Sequence, residues 1–127
     1  MRPLVRFLFV EQTRLTADER SAIERIASAL RTEIAVKVLA DLAVARVSFV
    51  LSDRSLIEFD LPDYERPRAG QAPYRVEGRV IDLDGAVMDV VIFEDRDGRL
   101  MEFEIIRYHD GPVLSPRWET FELVDYQ

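Results

Sequence analysis

At 127 residues, with 48% apolar and 32% charged side chains, the chain is long enough for one domain with a core and too apolar to be disordered. It has no cysteine, which excludes disulfides, thiolate chemistry and thiolate metal sites and fits a reducing compartment. The formal charge is −7 and unevenly placed: residues 1–76 hold 11 acids and 12 bases, residues 77–127 hold 13 acids and 5 bases. That argues against nucleic acid or an anionic membrane as partner, since both need positive surface, and permits steering toward a basic protein.

In chain order, Leu4–Val10 is short, apolar and β-prone and reads as a strand. It is too short for a signal peptide, nothing approaches a membrane span, and a cytoplasmic protein is expected. Thr16-Ala-Asp-Glu19 is a capping box, with hydroxyl and carboxylate each placed for an orphan amide of a first helical turn. Ile23, Ile26, Ala27 and Leu30 make an apolar stripe at helical spacing, continued by Ile34, Val38 and Leu42. Glu33, Lys37 and Asp41 form i,i+4 pairs on the other side. The expectation is one long helix, or two with a break near Thr32, ending by Asp41 to Ala43.

Val47–Leu51 and Leu56–Leu61 read as strands around Ser52–Ser55. Pro62–Pro73 holds three prolines and a glycine, which exclude a central strand. A loop of that length is mobile or functional, and mobility is the expectation. Trp118–Val124 is the closing strand. Of 17 basic residues only Lys37 is lysine, which reads as codon bias in a GC-rich genome.

The most legible stretch is Ala86–Arg107. Two apolar runs flank Asp95-Arg96-Asp97-Gly98, a strong turn signal. With those four residues as the loop, Glu94 faces Arg99, Val90 faces Phe103, Asp89 faces Glu104 and Met88 faces Ile105. One face is then Met88, Val90, Ile92, Met101, Phe103 and Ile105, which must be core. The other carries Asp89, Val91, Phe93, Leu100, Glu102 and Glu104. Asp89 opposite Glu104 is unfavourable. Taking Leu83-Asp84-Gly85 as the preceding turn sets Arg79 against Asp89, where it would bridge Asp89 and Glu104. The fold expected is α+β in one domain, 1–127: an antiparallel sheet of five to seven strands with a C-terminal meander, packed on the N-terminal helical stretch. Val76, Val80 and the core face of the hairpin meet Ile23, Ile26, Ala27 and Leu30.

Catalytic chemistry is poorly represented. The two D-x-D-G strings, Asp82/Asp84 and Asp95/Asp97, sit at opposite ends of one strand, about 30 Å apart at about 3.3 Å per residue, and neither continues into a calcium loop. No metal or cofactor is therefore expected. His109 is the sole histidine, no serine has a nucleophile-elbow pattern, and no phosphate loop is present. Asp89 with Glu104 could do acid/base work only if buried.

Asp82-x-Asp84-Gly85, an apolar strand, Asp97-Gly98-x-Leu100-x-Glu102-x-Glu104-Ile105-x-Arg107, then Asp110-Gly111 and Leu114 resemble a bacterial family of unknown function. The resemblance spans about residues 76–114 and carries over no activity. In size, acidity and lack of cysteine and catalytic residues, the chain also looks like the immunity proteins of bacterial toxin systems. That resemblance implies a non-catalytic protein that binds and blocks a basic toxin domain, a nuclease first among them. Asp89, Glu102 and Glu104, with Asp95 and Asp97 at the turn, are the expected contact surface. The alternatives are a self-associating domain, a homodimer through Val91, Phe93 and Leu100, and a small acid/base enzyme using Asp89 and Glu104.

Overall fold

The computed structural model describes residues 14–127. The strand expected at Leu4–Val10 lies outside them. Helix α1 (Ala17–Ser28) begins as its capping box requires. The Glu19 amide donates to Thr16 Oγ1 at 3.1 Å, and the Thr16 amide donates to Glu19 Oε1 at 2.9 Å. Helix α2 (Thr32–Val44) follows the expected break. The link between them is held from the far end of the chain: Gln127 accepts from the Arg31 amide at 2.8 Å and donates to the Ala29 carbonyl at 2.9 Å.

Seven strands follow: β1 (Arg46–Val50), β2 (Leu56–Asp60), β3 (Gln71–Pro73), β4 (Val76–Ile81), β5 (Val87–Asp95), β6 (Leu100–Arg107) and β7 (Arg117–Asp125). They form one antiparallel sheet in the order β1-β2-β6-β5-β4-β7, with β3 added to the end of β5. The chain is thus an α+β protein with its meander C-terminal. Among the described residues no helix is long and apolar enough to cross a membrane.

The helix pair covers one face of the sheet. Ile23, Ile26 and Ala27 of α1 and Val38 and Leu42 of α2 are buried with Val76, Val80, Met88, Val90, Ile92, Phe103 and Ile105. Burying a side chain of the size of Phe103 contributes about 1.5–3 kcal/mol relative to leaving it in water. Ile34, read as part of the stripe, is exposed. Gly78 is where the sheet admits Phe121: a Cβ there would lie 2.2 Å from that ring.

The β4–β5 pairing is as read, with Arg79 opposite Asp89 and Val80 opposite Met88. The β5–β6 pairing is not. The Asp95 amide donates to the Arg99 carbonyl and the Gly98 amide to the Asp95 carbonyl, so the loop is Arg96–Gly98, three residues rather than four. A bulge at Phe93/Glu94 follows, and beyond it Val90 lies opposite Ile105 and Val91 opposite Glu104. The slip of two positions keeps Phe103 and Ile105 on the core face, because side chains alternate with period two. The bulge exchanges Leu100 and Met101: Leu100 is fully buried and Met101 is not.

The 62–73 loop is fastened down. Tyr64 donates its hydroxyl to Asp95 at 2.6 Å; Arg66 donates to Asp95 and the Leu100 carbonyl, each at 2.9 Å, and to the Phe59 carbonyl at 2.6 Å.

Candidate functional site: an acidic sheet face

Among the described residues five acids are buried, and four of them have an arginine. Glu19 pairs with Arg54 at 2.8 Å, Asp41 with Arg99 at 2.8 Å, Asp82 with Arg107 at 2.8 Å and Asp95 with Arg66 at 2.9 Å. These pairs join elements far apart in sequence and tie the fold together. Asp41, read as half of a solvent-side pair with Lys37, instead accepts from the Arg99 side chain and the Leu100 amide.

Asp82, Asp84, Arg107, Asp110 and Leu114, part of the set that carried the family resemblance, meet at the Asp82 pair. Asp82 accepts from the amides of Leu83, Leu114 and Ser115 and from Arg107, and Arg107 also donates to Asp84 and to the Asp110 carbonyl. Burial alone would raise the Asp82 pKa; those amides and the guanidinium outweigh it and hold the carboxyl below the ordinary aspartate value. This D-x-D-G string is therefore a tie between the β4–β5 turn and the crossing to β7.

The fifth buried acid, Glu102, lies on the sheet face away from the helices. Three ranks of side chains cross that face. Glu122, Arg79, Asp89 and Ile106 form the first. Val124, Glu77, Val91, Glu104 and Leu56 form the second, and Phe93, Glu102, Glu58 and Phe49 the third. The ranks carry six carboxylates and one guanidinium. At the margins Arg46 lies opposite Asp60, and Arg117 is 3.8 Å from Glu119.

Of the contact residues expected from sequence, Asp89, Glu102 and Glu104 share this face. Asp89 and Glu104 are not opposite each other, so Arg79 meets Asp89 alone, at 3.5 Å. Tyr108 donates its hydroxyl to Asp89 at 2.5 Å, and that bond, with burial, pushes the phenol up to about 12. Asp97 is exposed on the turn. Asp95 is withdrawn from any contact surface: it is 2% exposed and saturated by Tyr64, Arg66 and the amides of Asp97 and Arg99. The apolar patch read on this face also shrinks, since Leu100 belongs to the core and Val91 is 3% exposed. Glu77 was read from sequence as outward, opposite Val91; Glu58 and Glu122 were missed as members of the face, because only the strand order brings β2 and β7 beside the meander.

Glu102 is 9% exposed and its carboxylate takes no hydrogen bond or ion pair among the described residues. Among the described residues no side-chain oxygen is sealed from solvent without a partner, so both Glu102 oxygens keep an opening outward. Burial, then the neighbouring charges of Glu104 and Glu58, raise its pKa above the ordinary glutamate value. Glu77 is raised by burial and then by Asp89, with Arg79 opposing. Among the described residues no three His, Cys, Asp or Glu side chains are grouped to hold a metal ion.

Fold and face define an α+β protein with a helix pair on one side of an antiparallel sheet and a carboxylate-rich surface on the other. No protein-family model, curated protein or solved structure matches the chain.

Proposed function

We propose that the chain is a non-catalytic binding protein whose acidic sheet face receives a basic domain of another protein, and that neutralising such a domain, a toxin nuclease in the form expected from its general resemblance to immunity proteins, is its role. The observation that carries this reading is the charge imbalance of the outer face. Six carboxylates share three ranks with one arginine, although each of the other buried acids among the described residues has an arginine.

Like charges on neighbouring strands destabilise a sheet, and burial makes the cost larger. A basic partner removes that cost on binding. Its field also steers the encounter and speeds association at low salt. Seating a basic active site on this face would occlude it by contact alone, with no reaction on either chain.

The test is capture of a partner from cells of the organism that encodes the chain. Wild-type bait and a Glu58→Gln/Glu104→Gln/Glu122→Gln bait are compared at low and at high salt. The expected result is one basic protein, retained by the wild type at low salt, weakened by salt and lost with the triple variant. A partner held equally by both baits would place the contact elsewhere.

A further inference from the structure

We infer that Glu102, with Glu58 and Glu104 beside it, is a seat for one arginine side chain of the partner. The inference rests on the reading of the outer face as a contact surface and adds the chemistry of its anchor. Glu102 is an ionisable side chain more than nine-tenths buried, with no partner among the described residues, and its two oxygens open outward. Its neighbours on the sheet make matters worse: Glu58 pairs with it across β2, and Glu104 is two residues along the same strand. A buried carboxylate that is neither bonded nor neutralised is costly, and cation from outside would relieve all three charges together.

The geometry selects a guanidinium over other cations. A metal ion needs its oxygens about 2.0–2.6 Å from one centre. Here the carboxylates stand on separate positions of a sheet whose strands are about 4.8 Å apart, and no group of three is close enough to hold one. A guanidinium is wide and planar, carries five donors in a fixed fork and stacks on aromatic faces. Phe93 is opposite Glu102 on β5 and provides such a ring. The protein already uses this arrangement elsewhere. Arg99 pairs with Asp41 at 2.8 Å while its guanidinium lies 4.5 Å from the centre of the Tyr64 ring, and Arg66 pairs with Asp95 while 5.6 Å from the same ring. Glu102 with Phe93 is that pairing without its arginine.

The experiment is an NMR titration of the side-chain carboxyl carbons with short oligo-arginine and oligo-lysine peptides of equal length, and with calcium chloride. Oligo-arginine should move the Glu102 signal, lower its pKa and bind at least about tenfold tighter than oligo-lysine. Glu102→Gln should lose at least about tenfold in affinity for oligo-arginine, whereas Glu33→Gln, on the exposed side of α2, should lose none. Glu102→Gln removes a repelled charge rather than a bonded one, so it folds. Equal effects of both peptides, or a Glu102 response to calcium matching that to arginine, would overturn the seat and leave diffuse charge attraction. The reading of the face fails separately: if the captured partner is indifferent to the Glu58, Glu104 and Glu122 substitutions, the surface itself is wrong, whatever the peptides do.

Discussion

Single residues in this protein are governed by whether a buried charge has its counter-charge. Asp82 is fully buried with three amides and Arg107 around it. Asp82→Ala strands Arg107 and the amides together, and should cost about 3–5 kcal/mol in chemical denaturation, as removal of one partner of a buried pair does. Glu102→Gln is the opposite case and should raise stability at neutral pH, because the charge it deletes has only repulsive neighbours. A loss of stability there would show that Glu102 is bonded in the folded protein. Gly78→Ala should cost about 1–3 kcal/mol through the Phe121 ring, an overpacking effect that denaturant midpoints will report. The sequence made the outward placement of Glu102 readable from alternation alone. It hid the role of Asp41, whose spacing from Lys37 suits a helix-surface pair and whose partner Arg99 is 58 residues away.

At the scale of elements, local signals were legible and long-range register was only partly so. The capping box, the break between helices, the Leu83–Gly85 turn and the β4–β5 register follow from neighbouring residues. The β5–β6 register depends on whether the Asp95–Gly98 turn closes on Asp95 or Glu94, and either choice leaves the same side chains inward over most of the hairpin. Only the bulge separates them, through Leu100 and Met101. Leu100→Ala should therefore cost about 2–5 kcal/mol, while Met101→Ala should cost less than about 1.5 kcal/mol. A larger loss at Met101 than at Leu100 would restore the four-residue turn. The anchoring of the 62–73 loop was unreadable because Asp95 looks like an ordinary turn residue until Tyr64 and Arg66 fold back on it.

Across the whole molecule, two sets of carboxylates pull stability in opposite directions with pH. Asp53, Asp82 and Asp95 have pKa values below the ordinary aspartate value of 3.8, with hydrogen bonds outweighing burial in each. Their contribution is present above that value and is lost as pH falls through the lowered ones. Glu77, Glu94 and Glu102 are raised above the ordinary 4.5, burial being the first cause in each. The folded state holds their protons longer than the unfolded chain does, so their ionisation lowers stability as pH rises from about 4.5 through the raised values. Thermal melts should show a maximum between the two windows, and Glu102→Gln should flatten the decline on the neutral side. A decline unchanged in that variant would exclude Glu102 as a contributor.

Glu77 and Glu102, the two raised carboxylates on the outer face, link stability to partner binding, since a basic surface laid there would remove the penalty that their ionisation imposes. Fold class and the excess of acid were open to reading from the chain, but the composition of the face depended on strand order, which lays β2 against β6 on one side of the meander and β7 against β4 on the other. The most direct test is a carbodiimide footprint of the carboxylates, read by mass spectrometry, with and without the captured partner. Protection confined to the outer-face carboxylates Glu58, Glu77, Asp89, Glu102, Glu104 and Glu122, with Asp18, Glu24 and Glu33 on the helices unchanged, is the result predicted. Protection of the helix carboxylates with the sheet face still reactive would contradict the account.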